Sequence, residues 1–356
     1  MDNSVEERRF SLESRRYIGC KTKLVDWIFS LINEQTHDVH SFCDIFAGTG
    51  VVAHRALQTY ERVVVNDFLH SNNVMYRAFF APTEWDEERV KTIIEEFNSV
   101  NPNKVRENYF SKNFGGKYFD VDTAKKVGYI REHLQKMKSD LTTKEYSILL
   151  ASLIYSIDRR ANTIGHFEAY IKRKIPNQSP FELRMIDVES YNGVEIHQED
   201  ANQLARSVDV DLTYIDPPYN SRQYSRFYHV YENLVQWKKP HLYGTALKPK
   251  EENMSDYCRN AAFSAFTDLV SHIKSRYLVV SYNNTYHSKS TSSENKIKLE
   301  QLEEVLNKCG NTQVFNHEFK AFNSGKTEFD DHREYLFITE VDDEKRNRSF
   351  PAVLRG

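Results

Sequence analysis

The chain has 356 residues, 40% of them hydrophobic and 13% aromatic, with 48 Lys and Arg against 51 Asp and Glu. Such a balance excludes a disordered chain and a uniformly basic nucleic-acid binder, and the length suits one elaborated domain or two. With no run of 18 apolar residues and no signal-peptide pattern, the expectation is a soluble, cytoplasmic protein without membrane contact.

Residues 1–13 are polar and charged and read as a loosely ordered tail. Arg16-Tyr17-Ile18-Gly19-Cys20-Lys21 then precedes a segment in which Leu24, Ile28, Leu31 and Ile32 recur at helical spacing. Ser41 to Gly50 (Ser-Phe-Cys-Asp-Ile-Phe-Ala-Gly-Thr-Gly) is an apolar strand running into a small-residue turn, followed by a helix-like Val51 to Thr59. The whole chain holds only 12 glycines, so two within three positions at a strand end point to a close approach of backbone to ligand. His54 and Arg55 stand where a dinucleotide fold has its third glycine, which favours a nucleoside ligand without phosphates. Arg62 to Asp67 (Arg-Val-Val-Val-Asn-Asp) is a second buried strand ending in an acid, and a carboxylate about 20 residues beyond the glycine turn is placed for ribose hydroxyls.

Residues 82–185 read as largely helical, with Val90, Ile93, Ile94 and Phe97 as one apolar stripe and Ser147 to Ile157 as another. From Asn101 to Lys174 there are 15 Lys and Arg against 8 Asp and Glu, a local excess of +7 inside a chain of net −3. A local cluster of this kind is what phosphate contact needs, and Arg159, Arg160, Lys172 and Arg173 are its candidates. Asn108 to Tyr118, rich in Phe, Tyr, Gly and Lys, is either a loop that touches nucleic acid or one that packs its aromatics inward.

From Gly193 an α/β pattern resumes. Val194 to His197 is a strand with Gln198-Glu199-Asp200-Ala201-Asn202 at its end, and Leu212 to Ile215 is a strand that stops at Asp216-Pro217-Pro218-Tyr219. Two prolines fix φ and leave their carbonyls as free acceptors. Asp216 and a proline carbonyl can therefore accept both hydrogens of an exocyclic amino group, while the Tyr219 ring offers a face for a planar base. Directly after the tetrapeptide, Arg222, Tyr224, Arg226, Phe227 and Tyr228 interleave basic and aromatic residues, a pattern suited to holding a displaced nucleotide. Phe227, Val230, Tyr231 and Leu234 keep helical spacing and are expected to bury, with His229 packed among them rather than acting as a base. Tyr277 to Tyr282 and Arg333 to Thr339 read as later strands with Leu299 to Leu306 a helix between them, Ser288 to Ser293 as a short linker, and residues 342–356 as a tail. Cys20, Cys43, Cys258 and Cys309 show no paired spacing, which argues against a metal site and for reduced thiols, with Cys43 in the core.

Together these elements resemble the alpha group (Dam-like) of DNA adenine amino-methyltransferases: Phe46-Ala47-Gly48-Thr49-Gly50 matches the cofactor turn F-x-G-x-G, Asp216 to Tyr219 matches D-P-P-Y without change, and Tyr17 to Lys21 resembles the amino-terminal element. Ala161 to His166 looks like a segment shared by some relatives. The resemblance implies a Rossmann-like α/β methyltransferase sheet, mostly parallel with an antiparallel final strand, over 14–81 and 186–341, with residues 82–185 a mainly helical insertion for DNA binding or target recognition. It implies S-adenosylmethionine as cofactor, held by Tyr17, Gly19, Lys21, Asp44, Phe46, Ala47, Gly48, Thr49, Gly50, Asn66, Asp67, Asp200 and Ala201; Asp200 is the candidate for the cofactor's adenine, with Glu199 as the alternative. It implies catalysis at Asp216, Pro217, Pro218 and Tyr219, DNA contact at Arg222, Tyr224 and Arg226 besides the insertion, double-stranded DNA as partner, and modification within a restriction-modification system beside a cognate endonuclease in a prokaryotic cell. Two other readings stand beside this one: an amino-methyltransferase acting on cytosine or RNA, and a nucleic-acid-binding protein on a methylase fold that no longer turns over. Intact Asp216, Tyr219, Gly48 and Gly50 weigh against the latter.

Overall fold

The computed structural model describes residues 9–172, 175, 179–285, 294–318 and 333–351. Among them, seven strands form one sheet: β1 (Ser41–Asp44), β2 (Arg62–Asn66), β3 (Val194–His197), β4 (Asp209–Ile215), β5 (Lys274–Asn283), β6 (Gly310–Glu318) and β7 (Arg333–Val341). Their spatial order is β3-β2-β1-β4-β5-β7-β6. The pairs β1–β2, β1–β4, β2–β3 and β4–β5 are parallel, and β7 runs antiparallel to β5 and to β6. The expected, mostly parallel sheet with its antiparallel late strand is therefore present. Strand β6 has no counterpart in the sequence reading. It is a polar, mostly exposed edge strand, and an edge that faces water on its outer side needs no apolar run to mark it.

The central strands read as unbroken apolar runs because both faces are covered: Phe42 and Cys43 in β1, Val63 to Val65 in β2 and Leu278 to Val280 in β5 are all buried. Chain order along the sheet reverses between β1 and β4, so the crevice outside their carboxyl ends is a topological switch point, the place where such sheets bind ligands. Strand β1 delivers the glycine turn there and β4 delivers Asp216 to Tyr219, in a register that sets Asp44 opposite Tyr214.

The chain divides into two compact units. One, of residues 21–69, 193–225 and 252–356, contains the whole sheet; the other, of residues 1–20, 70–192 and 226–251, is helical. This differs from the expected split at 81/82 and 185/186. The helix His70–Phe79 packs on Thr143–Asp158 and on His229–Gln236, and Glu232 accepts the backbone N–H groups of His70 (3.0 Å) and Ser71 (2.7 Å). Residues 226–251 are drawn in the same way, since Arg131 caps the carboxyl end of His229–Gln236 by donating to Leu234 O (2.6 Å) and Val235 O (3.1 Å), and Tyr231 Oη donates to Asp158 (2.6 Å).

Neither tail is loose where it is described. Phe10 is buried and bridges to Ile186, while Tyr155 Oη donates to Leu12 O. At the other end, Asp343–Ser349 is a helix capped by Asp342, with Phe350 buried in the sheet unit's core. The apolar stripes of Glu87–Ser99 and Thr143–Asp158 are buried as expected. Of the two readings of Asn108 to Tyr118, inward packing holds: Asn108 caps a short helix, Tyr109–Phe114, and Phe110, Phe114 and Tyr118 are all buried. His229 is likewise a core residue, its Nε2 within 3.0 Å of Phe167 O.

Candidate active site

The turn after β1 is built from backbone conformations that suit glycine. Gly48 has φ +54° and Gly50 φ +82°, the left-handed region in which a side chain is strained, and Gly50 opens the helix Val51–Leu57. Gly48 N–H donates to Asp67 Oδ2 (3.1 Å) and Leu69 N–H to Asp67 Oδ1 (2.8 Å), so the acid at the end of β2 clamps the turn at the end of β1. Asn66 ties a third strand end to these two: its Nδ2 donates to Ile45 O (3.0 Å) and Glu199 O (3.1 Å), and its Oδ1 accepts from Glu199 N–H (3.0 Å). Asn66 is thus a bracket within the scaffold, a role that the sequence reading did not assign. Asp200 caps the short helix Ala201–Leu204 through Asn202 N–H and lines, with Asn202, Tyr257 and Asp268, a cleft of about 400 Å³. Phe46 packs edge-on against Tyr257 at 5.0 Å.

Asp44 is buried, and its Oδ1 has no hydrogen-bond partner. Burial, together with the nearby Asp216 charge, pushes its carboxyl well above the usual carboxylate range despite a hydrogen bond from the Ala53 backbone. A buried acceptor of this kind is an invitation to a cationic donor.

At the end of β4, four side chains converge. Tyr219 Oη lies 2.5 Å from Asp216 Oδ1 and 2.8 Å from Glu334 Oε1. Lys21 Nζ donates to Tyr219 Oη (2.7 Å) and is 3.0 Å from both Asp216 Oδ1 and Glu334 Oε1. Ser281 Oγ on β5 adds a donor to Glu334 Oε1 at 2.8 Å. One ammonium thus serves two carboxylates, and the electrostatics follow. Burial pushes the Asp216 carboxyl up, Lys21 pulls it down and Glu334 pushes it up again, with the net direction upward. Burial works against the Lys21 ammonium, yet the two carboxylates hold its pKa above the ordinary lysine value. The Tyr219 phenol, partly shielded from water and set among the Asp216 and Glu334 charges, is raised well above 10. Its ring rests on Tyr282 with centroids 4.5 Å apart, and Tyr282 Oη donates to Tyr219 O (3.3 Å).

The sequence reading found Asp216, Pro217, Pro218 and Tyr219 but missed Glu334, Ser281 and Tyr282, and it set Lys21 beside the cofactor rather than against the tetrapeptide. A signal for Glu334 was present. It is in phase with Leu336 and Ile338 on the buried face of β7, where a carboxylate requires a partner.

Tyr17 and Gly19 belong to the helical unit. There Tyr17 stacks on Tyr228 (4.5 Å), Ile18 N–H donates to Tyr228 Oη (2.9 Å), and Gly19 has φ +81°. The basic candidates divide by their surroundings. Arg160 spends its guanidinium on Ser179 O, Ser179 Oγ and Pro180 O, and Arg226 donates to Pro249 O (2.7 Å). Arg159 donates to Ser14 O (3.1 Å) yet stays exposed, as does Lys172, and Arg173 lies outside the described residues. In the sheet unit Arg222 and Tyr224 are half-buried, with Arg222 O accepting from Cys258 Sγ. Part of the positive excess is internal: Lys126, Arg131 and Lys144 are buried, Lys126 bonding Asn98 O and Lys144 bonding Ala81 O and Glu189 O. Among the described residues no group of acidic, His and Cys side chains is arranged to hold a metal, and no helix is long and apolar enough to cross a membrane.

Residues 17–277 match the family described as D12 class N6 adenine-specific DNA methyltransferase. The chain is 30% identical to the Type II methyltransferase M.CviAII of Paramecium bursaria Chlorella virus 1, over 92% of this chain and 98% of that one. It is 28% identical to the Type II methyltransferase M.NlaIII of Neisseria lactamica, over 91% and 98%. With the Type II methyltransferase M.FokI of Planomicrobium okeanokoites the identity is 30% over 92% of this chain but only 53% of the relative.

Proposed function

Because the chain belongs to the D12 class N6 adenine-specific DNA methyltransferases, we propose that Asp216 and the Pro217 carbonyl hold the 6-amino group of an adenine turned out of duplex DNA while that nitrogen is methylated. The observation that carries this reading is a partly buried carboxylate, held by Lys21 and Tyr219, at the carboxyl end of β4, next to the strand whose end forms the glycine turn. The amino nitrogen of adenine is a poor nucleophile because its lone pair is delocalised into the ring. Two acceptors aimed at its hydrogens favour a more tetrahedral nitrogen and free the lone pair for attack. Lys21 offsets the charge at Asp216, and the Tyr219 ring, packed at a tilt against Tyr282, is the surface on which we place the base. Flipping out of the duplex costs on the order of a few kcal/mol, offset by that stacking and by phosphate contacts.

S-adenosylmethionine supplies a methyl group carried on a positively charged sulfur. The residues of the sheet unit fit it. The unpartnered Asp44 Oδ1 suits the amino group of its methionine portion, the turn of Phe46, Ala47, Gly48, Thr49 and Gly50 allows close backbone approach, and Asp67 is placed for ribose hydroxyls. Asp200 and Ala201, beside the 400 Å³ cleft, suit its adenine. Tyr17 and Gly19 are assigned to the cofactor by family resemblance, and Lys21 is assigned here to the acceptor side. For DNA, we assign phosphate contact first to the exposed Arg159 and Lys172, with Arg173, Arg222, Tyr224 and Arg226 as further candidates.

The relatives' names, Type II methyltransferase and modification methylase, support a role as the modification enzyme of a restriction-modification system; a cognate endonuclease as partner and cellular DNA in the cytoplasm as substrate are part of the same proposal. The test is tritium transfer from labelled S-adenosylmethionine to unmethylated duplex DNA, with equilibrium dialysis of the cofactor in parallel. Asp216→Ala is expected to abolish transfer while leaving cofactor affinity within about threefold. Turnover by that variant at the wild-type rate would refute the assignment.

A further inference from the structure

The phenol of Tyr219 has one proton and two carboxylate acceptors. Asp216 Oδ1 at 2.5 Å and Glu334 Oε1 at 2.8 Å cannot both receive it. In this arrangement the shorter contact occupies an Asp216 oxygen, and an acceptor amino group needs that carboxylate. Something must take the phenol when the amine arrives, because a hydroxyl largely shielded from water and left unpaired costs more than the hydrogen bond it exchanges. Glu334 is already in place for this. It is buried on β7, held by Ser281 Oγ at 2.8 Å, and joined to Asp216 by the shared Lys21 ammonium at 3.0 Å from each.

We propose that Glu334 is a positioning residue for methyl transfer: it takes over the Tyr219 phenol and shares Lys21, so that an Asp216 oxygen turns to the acceptor's amino group. The inference rests on the reading that Asp216 receives that amine. No covalent bond changes in this step; the phenol O–H exchanges one carboxylate acceptor for the other, and the Lys21 protons stay on nitrogen. The arrangement also explains why a second acid is present where one lysine could neutralise only one. With Glu334 absent, Lys21 and Tyr219 would both be spent on Asp216, leaving it a poorer acceptor.

The charge of Glu334 has a consequence for pH. The groups facing Asp216 are Lys21, Tyr219 and Glu334, together with Asp44 on β1 and Tyr214 on β4. Methyl transfer in this scheme needs ionised Asp216, and the Glu334 anion favours its neutral form. Removing that anion lets Asp216 ionise at lower pH, so the acid limb of the rate moves to lower pH even as the rate falls.

Single-turnover methylation of adenine-unmethylated phage DNA tests this with Glu334→Gln, Glu334→Asp, Tyr219→Phe and the Tyr219→Phe/Glu334→Gln pair. Glu334→Gln, which keeps shape and removes charge, is expected to slow transfer about tenfold or more, with calorimetric S-adenosylmethionine affinity within about twofold and the acid limb displaced downward. Glu334→Asp keeps the charge but shortens the reach, and is expected to be slow with the limb in place. In the double variant the losses are expected not to multiply, because both act through one phenol. A wild-type rate in Glu334→Gln or in Glu334→Asp, an unmoved limb in Glu334→Gln, or multiplicative losses would overturn the proposal. Asp216→Ala in the same assay separates the two readings. If it is active, the role of Asp216 falls; if it is dead while Glu334→Gln is normal, only the present inference falls.

Discussion

Replacing Asp67 by alanine removes a carboxylate that accepts Leu69 N–H at 2.8 Å and Gly48 N–H at 3.1 Å. On sequence grounds alone the change is mild, because water can stand in for ribose contacts. The clamp on the glycine turn makes it larger. Hydrogen bonds to a charged acceptor contribute about 1.5–3 kcal/mol each when fully buried. Asp67 is half-buried and water reaches the freed amides, so the pair together contributes about 1–3 kcal/mol. The loss divides between stability and binding. About 1 kcal/mol in the folded protein lowers Tm by roughly 2–4 °C. The remainder, up to about 2 kcal/mol, is the cost of ordering Gly48 around the cofactor, and with every 1.4 kcal/mol a factor of about ten in Kd, S-adenosylmethionine is expected to bind several-fold to about thirtyfold more weakly. Asp67→Asn retains an acceptor for Leu69 but presents an amide N–H to Gly48, and falls between. Calorimetric titration beside a thermal melt reads both quantities. Affinity within twofold and an unchanged melt for Asp67→Ala would show that the turn keeps its shape without the clamp, and the reasoning fails.

Gly48→Val forces a β-branched residue to φ +54°, at a backbone cost of about 1–3 kcal/mol, and is expected to lose cofactor binding while far-ultraviolet circular dichroism stays native. Normal calorimetric affinity in that variant would place the ligand elsewhere. His229, buried against Phe167 O, is pushed from 6.5 down to about 3 by burial. The unfolded chain therefore binds the extra proton first: stability is complete above 6.5 and is lost as pH falls toward 3, by about 1 kcal/mol near pH 5.5 from this group. Denaturant unfolding of His229→Gln against the parent is expected to show a weaker pH slope in that window, and an equal slope would contradict it. Replacing Arg159 and Lys172 together is expected to lower the slope of log K against log salt by about two, whereas Arg160→Ala, whose donors are already spent within the protein, leaves it unchanged. Filter binding across a salt series decides between them; an unaltered slope in the double variant would make the exposed excess a solvated surface.

The local chemistry of the site was legible in the residue order. Strands buried on both faces show as apolar runs, a left-handed turn shows as glycine, and two consecutive prolines announce a fixed rim, so Gly48, Gly50, Asp67 and Asp216 to Tyr219 could be read before any fold was known. Each of those signals depends on neighbours in the chain. What the chain cannot express locally is which distant side chain shares a buried charge. Lys21 and Glu334 are separated by more than three hundred positions, and only the placing of β7 between β5 and β6 brings the acid to within 3.0 Å of the ammonium. The same holds for Asn66, whose place as a bracket depends on three strand ends meeting, and for Lys126, Arg131 and Lys144, which read as surface charge until helix packing buries them. The polar edge strand β6 and the assignment of residues 70–79 and 226–251 to the helical unit were also decided by tertiary pairing. In each case the deciding energy was desolvation. A charged or polar group taken from water must find its partner in three dimensions, and that partner leaves no mark in the neighbouring sequence.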